Sequence, residues 1–306
     1  MLSIYACGGT GLNIAKNLTD AGMNVFCIDG SDSNTNGLSK DKLFVIPDSN
    51  GGGKNRAVIY EKFRDLVDEV LIRFKPSTSM NIILSSLAGG SGSAIGPILA
   101  KQLIEEGKNV IILGIDSTSS VIEINNSIKT LKTYKAISNQ LKKSVSIYHV
   151  KGDVRREADE QAINFINLIN LMVDKSSIDE LDVRDLENFL QFQNVTDNRP
   201  DVAILAVNHK DGVEFRKGIN LVGTVLVSTD RNDTITDFIP EYIANCVVTD
   251  KKYKNGPMRL DSMLGELGYL INDYEATLQE LSDQKKINKV KELDVESNTD
   301  DGFMVL

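Results

Sequence analysis

The chain has 306 residues, of which 41% are hydrophobic, and its 34 Lys and Arg against 43 Asp and Glu give a formal charge of -9. This composition supports two ordinary domains with packed cores and excludes a disordered chain. The acidic balance argues against a broad surface for DNA or an anionic membrane. Three scattered cysteines argue against a disulfide framework or a zinc site, and no run reaches the roughly 18 apolar residues of a membrane span. We therefore expect a cytoplasmic protein that is neither secreted nor inserted.

Short apolar runs in the first half predict buried strands, and amphipathic segments lie between them. The runs occupy residues 2 to 6, 23 to 29, 81 to 87, 109 to 115 and 144 to 150. Apolar residues from Ile59 to Phe74 keep a helical spacing that stops before Pro76. Because strands and helices alternate, the pattern predicts an α/β domain with a Rossmann-like parallel sheet covered on both faces.

The second half predicts a different arrangement. A helical pattern at residues 154 to 173 is apolar on more than one side, which suits a helix between two domains. Strand candidates then begin at residues 202, 223 and 245, and they predict a smaller α+β domain. A long helix follows, and after Lys291 the chain becomes an acidic tail with an apolar end, which we expect to be disordered when alone. The predicted divisions are a first domain at 1–152, a linking helix at 153–174, a second domain at 175–258, a long helix at 259–291 and a tail at 292–306.

The first glycine-rich stretch, ACGGTGLNIAKNL at 6 to 18, follows a predicted strand and opens a predicted helix. With Asp29 closing the next strand, it nearly forms a dinucleotide fingerprint, in which the helix N-terminus holds a pyrophosphate and the acid binds a ribose hydroxyl. Ile14 stands where the third glycine of that fingerprint would be. A nicotinamide-dependent oxidoreductase therefore remains one alternative.

A second glycine-rich stretch, SSLAGGSGSAIGP at 85 to 97, also lies between a predicted strand and a predicted helix. Backbone N–H groups exposed by missing side chains at a helix N-terminus form an anion site, to which Ser91 and Ser93 would add hydroxyl donors. A third stretch, GGGKNRA at 51 to 57, adds Lys54 and Arg56, but no Walker loop can be found in the chain. Two such loops facing one ligand predict a ligand with several phosphates.

These motifs carry a resemblance to a known family. AGGSGSA at 88 to 94 resembles the GGGTGSG signature loop of the tubulin and bacterial FtsZ superfamily, with Ser91 keeping the hydroxyl of the threonine. CGGTGLN at 7 to 13 lies where the superfamily has its first phosphate loop, and the order and spacing of the motifs agree along most of the chain. At this length, the chain most resembles the phage-encoded tubulins of the PhuZ family.

The resemblance implies a tubulin/FtsZ-like fold whose first domain binds GTP or GDP with Mg²⁺. Asp159 lies where the superfamily reads the guanine ring, and a carboxylate there can accept the N1 and N2 hydrogens that adenine does not offer. The candidate nucleotide-binding residues are Gly8, Gly9, Thr10, Gly11, Asn13, Asp29, Gly89, Gly90, Ser91, Gly92, Ser93 and Asp159. We assign no protein side chain as a metal ligand.

Two acids in SSIDELDVRDLENFL at 176 to 190 are candidates for the chemistry. Asp182 and Asp185 stand three apart where a helix is predicted to begin, and acids are also common there for purely structural reasons, as caps or as partners of the helix dipole. LDVRDLENF is similar to the catalytic loop and helix of the superfamily. The resemblance implies that Asp182 and Asp185 complete the GTPase site of an adjacent subunit, where carboxylates orient or polarise a water beside a magnesium-bound γ-phosphate.

The resemblance also implies a function. The expected protein is a GTPase that polymerises head to tail into dynamic filaments, with its tail contacting a neighbouring subunit and with no direct contact to nucleic acid or membrane. Such filaments would position phage DNA in the cytoplasm of an infected host cell. A DNA-segregation tubulin that acts through a DNA-bound adaptor remains a second alternative to this function, beside the NAD-dependent oxidoreductase.

Overall fold

The computed structural model of the protein describes residues 1–18, 22–210, 213–251 and 253–299. Its strands are β1 Leu2–Cys7, β2 Met23–Asp29, β3 Leu43–Val45, β4 Met80–Ser86, β5 Val110–Ile115, β6 Val145–Val150, β7 Ile178–Asp179, β8 Val202–His209, β9 Asn220–Ser228, β10 Tyr242–Val248 and β11 Met258–Leu264. Its helices are α1 Gly8–Ala15, α2 Arg56–Phe63, α3 Val67–Arg73, α4 Gly92–Glu105, α5 Val121–Leu141, α6 Arg155–Val173, α7 Val183–Leu190 and α8 Glu266–Thr299.

The described strands form one sheet in the order β3-β2-β1-β4-β5-β6-β8-β11-β9-β10-β7. All pairs from β3 to β8 are parallel, whereas β11 is antiparallel to both β8 and β9. The loops after β1, β4 and β5 therefore leave the sheet side by side, because Cys7 pairs with Ser85 and Ser85 pairs with Gly114. The order reverses between β1 and β4, and ligands of open α/β sheets bind in the crevice at such a point.

Side chains of the parallel strands are buried on both faces of the sheet. On β1, Leu2 and Ile4 belong to one apolar cluster, whereas Tyr5 and Cys7 belong to another. The first cluster is covered by α6, and the second is covered by α4, α5 and the start of α8. Burial on both faces explains why these strands appear in the sequence as continuous apolar runs rather than as alternating patterns.

The α/β prediction and its five first-half strands are confirmed, with end points that differ by one residue at most. The helical pattern predicted from Ile59 to Phe74 is interrupted, because α2 ends at Phe63 and α3 begins at Val67. Ile59 and Phe63 of α2 are buried in the same cluster as Val67, Val70 and Leu71 of α3, so the periodicity continues across the turn between the helices.

The prediction that the long C-terminal helix begins at residue 259 is wrong. Residues Met258–Leu264 form β11, and α8 begins at Glu266, after Gly265 with φ of +94°. The segment is a central strand that buries Arg259 and Asp261 as a pair, with the Arg259 Nε atom 2.8 Å from the Asp261 Oδ1 atom. A central strand carrying a buried ion pair lacks the apolar pattern that identifies strands in a sequence.

Helix α8 continues beyond Lys291, where the composition predicted its end, as far as Thr299. The apolar end of the predicted tail, at 303–306, lies outside the described residues. The predicted second domain begins as an extension of the same sheet, because β8 pairs in parallel with β6. Because the sheet continues from β6 to β8, the separation of two domains by a linking helix at residues 153–174 stays a prediction. In the part of the chain that the structure describes, no helix is both long enough and apolar enough to cross a membrane.

Candidate functional site

A cleft of about 320 Å³ lies at the carboxyl edge of the sheet, where the strand order reverses. The first and second glycine-rich loops form its two sides, and Gly51 to Gly53 of the third loop close it. Most of the predicted nucleotide-binding residues line this glycine cleft, namely Gly8, Gly9, Thr10, Asp29, Gly89, Gly90, Ser91 and Gly92.

A second cleft, of about 380 Å³, adjoins the first. We call it the helix cleft because it extends to the N-terminal turn of α6, where Arg155 and Asp159 lie, and it is also lined by Asn13. The two clefts share five residues, Gly9, Thr10, Asn34, Ser86 and Gly89. Together they form one groove along the ends of the strands, in which the glycine loops are at one end and Asp159 is at the other.

The two glycine loops touch through their backbones. Gly8 has φ of +71°, and a Cβ atom placed on it would lie 2.6 Å from the amide nitrogen of Gly92. A Cβ atom on Gly92 would lie 2.7 Å from the carbonyl oxygen of Cys7. Any side chain at Gly8 or Gly92 would clash with the backbone of the other loop, so both positions require glycine. The absence of side chains leaves the backbone of both loops exposed to the cleft.

Helices α1 and α4 both begin at this contact, at Gly8 and at Gly92. The first amide N–H groups of a helix have no partner within the helix, and the helix dipole places partial positive charge at the same end. Two helix N-termini therefore converge on the glycine cleft from the two loops. The arrangement favours an anion with more than one negatively charged group.

Two of the predicted nucleotide-binding residues do not line either cleft. A Cβ atom on Gly11 would lie 2.7 Å from the carbonyl oxygen of Leu84, so Gly11 allows α1 to approach β4. The Ser93 side chain is fully buried, and its hydroxyl donates a hydrogen bond to the carbonyl oxygen of Gly89. Ser93 thus holds the shape of the second loop, whereas Ser91 lines the cleft.

Asp29 brings a carboxylate into the glycine cleft. It is buried, and its Oδ1 atom accepts a hydrogen bond of 2.6 Å from the Gly30 amide. Burial raises the pKa of the Asp29 carboxyl, and hydrogen bonds from Ser91 and from the Gly30 and Ser31 amides offset part of this rise. A carboxylate beside an anion cradle repels the anion unless a cation lies between them. Asp29 thus places a carboxylate oxygen, which is a type of ligand that Mg²⁺ prefers, beside the glycine loops.

The basic residues of the third loop lie around the cleft rather than inside it. Arg56 donates hydrogen bonds to the Ser93 carbonyl oxygen at 3.1 Å and to Thr133 Oγ1 at 3.4 Å, behind the second loop. Lys54 forms an ion pair of 3.0 Å with Glu123, which lines the helix cleft. Lys54 thus reaches the rim of the groove, and Arg56 supports one of its walls.

Asn126 is a residue of the site that the sequence did not indicate. It is buried on α5, and its amide donates hydrogen bonds to the carbonyl oxygens of Lys54 at 2.9 Å and of Ala88 at 3.0 Å. One side chain therefore fixes the third loop to the second. Neither Asn in the stretch STSSVIEINNS carries a signal in the sequence, because the role of Asn126 depends on two loops that precede it in the chain.

Asp159 and Asn13 provide polar side chains in the helix cleft. Burial raises the pKa of the Asp159 carboxyl, and the positive charge of Arg155, whose Nε atom is 3.9 Å away, opposes the rise. Carboxylate oxygens accept hydrogen bonds, whereas the amide of Asn13 both donates and accepts them. The helix cleft can thus hold a planar polar group that donates toward Asp159.

A buried cluster fixes the floor of the helix cleft. Asp116, the residue after β5, accepts a hydrogen bond of 2.7 Å from the Gly152 amide, ahead of α6. Its other oxygen accepts from the Tyr274 hydroxyl of α8 and lies 3.0 Å from His149 Nε2. Burial acts to raise the pKa of Asp116, but its hydrogen bonds and the His149 ring outweigh burial and hold the pKa below its usual range. Nothing in the sequence around Asp116 indicates this role.

The predicted acid pair lies at the start of α7. Asp182 is the N-cap, and its Oδ1 atom accepts from the Asp185 amide at 2.9 Å. In return, the Oδ2 atom of Asp185 accepts from the Asp182 amide at 3.1 Å. This reciprocal capping box confirms that a helix begins here, and it makes Asp182 itself the cap. Their chemical role stays a prediction.

The acid pair and the glycine cleft lie at opposite edges of the sheet. Helix α6 begins at Arg155, beside Asp159, and its 19 residues span roughly 28 Å at ~1.5 Å per residue. Its far end, at Val173, lines a hollow with Met1 and Ser79, which precede β1 and β4. Asp182 and Asp185 follow that end of the helix. They line neither cleft, so the chain does not place them on its own anion site.

The fold of the chain matches solved structures of tubulin-like phage proteins. No protein-family model matches the chain. The solved structures that resemble it include a protofilament of TubZ from bacteriophage PhiKZ, with a TM-score of 0.83 and 23% identity over 94% of this chain and 92% of that one. Another is the phage tubulin PhuZ with GDP, with a TM-score of 0.83 and 21% identity over 93% and 92% of the two chains.

A sequence relative gives the more particular result. A phage tubulin-like protein of Pseudomonas phage PhiPA3 is 29% identical across 99% of this chain and 98% of its own length. The resemblance to phage-encoded tubulins is thereby confirmed, since the chain is similar in sequence to a phage tubulin-like protein and in fold to solved TubZ and PhuZ structures.

Proposed function

We propose that the protein is a GTPase that assembles head to tail into filaments and hydrolyses GTP where two subunits meet. The observation that carries the proposal is the separation of the site into two halves. The anion cleft is at one edge of the sheet, and the acid pair lies beyond the far end of α6, roughly 28 Å along the helix. A second copy, stacked on the first, brings the two halves together.

GTP fits the groove along its length. The phosphates lie in the glycine cleft, on the N-termini of α1 and α4, and the base lies in the helix cleft against Asp159. The Asp159 carboxylate accepts the N1 and N2 hydrogens of guanine, which adenine lacks. The similar PhuZ structure with GDP supports a guanine nucleotide. The oxidoreductase alternative gives no role to the second glycine loop, which forms half of the cleft.

Asp29 would hold Mg²⁺ together with the nucleotide phosphates. Among the described residues, no group of three His, Cys, Asp or Glu side chains could hold a metal ion by itself. Mg²⁺ is commonly bound by one carboxylate together with phosphate oxygens and water. When bound, the ion neutralises charge on the phosphates. The chain then contributes the backbone amides that hold the phosphates, which is most of what phosphoryl transfer requires.

Asp182 and Asp185 would act on the nucleotide of the adjoining subunit. Carboxylates accept hydrogen bonds from water and so orient it toward the terminal phosphate. Because a different surface is used on each partner, the contact does not close by itself and can repeat into a filament. The resemblance to a TubZ protofilament supports such assembly.

The relatives also suggest the cellular role. We propose that the filaments position phage DNA in the cytoplasm of an infected host, without direct contact to nucleic acid or membrane, and that the C-terminal segment contacts a neighbouring subunit. The phage tubulin-like relative from PhiPA3 supports a phage function.

The dependence of hydrolysis on protein concentration tests the shared site. Phosphate release per subunit should be near zero below a critical concentration and should rise above it. Asp185→Asn should bind GTP normally and assemble while releasing little phosphate. Glu187→Gln is the matched control, because Glu187 lies on the same helix and pairs with Arg184 instead of with the capping box. A constant rate per subunit at all concentrations would place the complete site within one chain and overturn the proposal.

A further inference from the structure

Asp185 is held by a residue outside its own helix. Its Oδ2 atom is bound by the Asp182 amide within the capping box. Its Oδ1 atom accepts a hydrogen bond of 3.0 Å from the hydroxyl of Tyr242, the first residue of β10. The two contacts come from different elements, so the carboxylate is fixed in direction as well as in position. The capping box alone would fix only one of its oxygens.

The Tyr242 hydroxyl acts as a donor in this contact. An ionised carboxylate only accepts hydrogen bonds, so the phenol must supply the proton. Burial raises the pKa of Tyr242, the Asn188 side chain acts in the opposite direction, and the negative charges of Asp185 and Asp182 add to the rise. Tyr242 therefore remains protonated at neutral pH and continues to donate.

The backbone before Tyr242 is itself anchored. Arg259, which is fully buried, donates hydrogen bonds to the carbonyl oxygens of Asp237 at 3.3 Å and of Phe238 at 3.1 Å. Arg259 is held in turn by Asp261, the acid with which it forms the buried pair of β11. The segment that leads into Tyr242 is thus tied to a central strand of the sheet, and Tyr242 itself pairs with Gly223 of β9.

We propose that Tyr242 is a positioning residue for the reaction, which holds the Asp185 carboxylate in the direction needed to act on the neighbouring subunit's nucleotide. The inference rests on the proposed function, because Tyr242 acts only through Asp185. Each oxygen of Asp185 keeps a lone pair for water after its protein contact is made. Loss of the Tyr242 contact frees the carboxylate to rotate while leaving the nucleotide groove intact.

The test is Tyr242→Phe, measured as phosphate release from preassembled filaments. We expect the hydrolysis rate to fall by about 10-fold, the order expected when one hydrogen bond to a charged acceptor is lost. GTP affinity and the critical concentration with a non-hydrolysable analogue should be unchanged. Tyr269→Phe is the matched control, because it removes a hydroxyl that donates to the Lys217 carbonyl oxygen on another surface.

A double variant separates positioning from general structure. If Tyr242 acts through Asp185, the variant carrying both Tyr242→Phe and Asp185→Asn should hydrolyse GTP no more slowly than Asp185→Asn alone. Additive losses, or wild-type hydrolysis by Tyr242→Phe while Asp185→Asn is slow, would overturn this inference and leave the proposed function standing. Wild-type protein that does not hydrolyse GTP, or Asp185→Asn that hydrolyses it normally, would overturn both.

Discussion

Asp116 and Tyr274 are hydrogen-bonded inside the protein, although 158 residues separate them in the chain. Asp116 directly follows β5 and lines the helix cleft, and Tyr274 lies on α8. His149 contacts both, with its Nε2 atom 2.9 Å from the Tyr274 hydroxyl oxygen. One buried cluster therefore joins the C-terminal helix to the part of the groove that we assign to the base.

Removing the hydroxyl should destabilise the protein. Tyr274→Phe leaves Asp116 buried with one donor fewer, and we expect the free energy of unfolding to fall by ~1–3 kcal/mol. Urea unfolding followed by circular dichroism measures this change. The control is Lys132→Ala, which removes an exposed ion pair between Lys132 of α5 and Glu275, the neighbour of Tyr274 on α8. This substitution should lower the free energy of unfolding by less than ~1 kcal/mol. If both substitutions lowered the free energy of unfolding by the same amount, the buried cluster would not contribute more to stability than an exposed ion pair, which would contradict this prediction.

Asp116 should also contribute to stability in a pH-dependent way. Its pKa is lower in the folded protein, so its contribution is fully present above the unfolded value of ~3.9 and is lost as the pH falls through the folded value. The difference in unfolding free energy between wild type and Asp116→Asn should therefore be largest near neutrality and shrink below about pH 4. The measurement is urea unfolding of both proteins across this range. A difference that stays constant with pH would contradict the assignment.

The contact between the glycine loops predicts a selective loss of binding. Gly8→Ala places a methyl group against the Gly92 amide and strains a backbone with φ of +71°. The two loops can relieve this strain only by moving apart, which displaces the amides that hold the phosphates. Because one strained residue costs on the order of 1–3 kcal/mol, we expect GTP affinity to fall by at least ~10-fold. Gly107→Ala is the control, because Gly107 has φ of +73° and nothing within 4 Å of its added Cβ atom. Isothermal titration should show normal affinity for the control, and weakened binding in both would point to strain alone.

Asp159 should determine which base is bound. An asparagine can accept from N1–H but can also donate to the O2 of xanthine, so Asp159→Asn should weaken GTP binding by ~10- to 100-fold and strengthen binding of xanthosine triphosphate. Competition with a fluorescent nucleotide measures both affinities. Glu160→Gln, which changes the neighbouring exposed acid paired with Arg156, should leave them unchanged. Unaltered GTP affinity in Asp159→Asn would remove Asp159 from the base site.

Much of the fold could be predicted because its information is local. The parallel strands of the first half are apolar runs bounded by turns, and the glycine loops lie directly after β1 and β4. The start of α7 was equally clear, since acids such as Asp182 favour the first turn of a helix. These features depend on neighbours within a few residues in the chain.

The missed features depend on contacts between distant segments. Strand β11 looked like part of a helix because Arg259 and Asp261 neutralise each other only when buried together. Asn126 joins two loops, and Tyr242 reaches Asp185 from 57 residues away. Ser93 looked like a ligand residue, although its hydroxyl is used within the loop. A polar side chain shows its partner in the structure and not in the sequence.

The most direct test of the account is right-angle light scattering of the purified protein with Mg²⁺ and GTP, while phosphate release is followed in the same sample. A non-hydrolysable GTP analogue and ATP serve as comparisons, and the binding of NADH is measured separately by titration. Scattering should rise with GTP and decay as phosphate appears, persist with the analogue and stay at baseline with ATP. Absence of both scattering and phosphate release with GTP, together with tight binding of NADH, would contradict it and favour the dinucleotide interpretation of the first glycine loop.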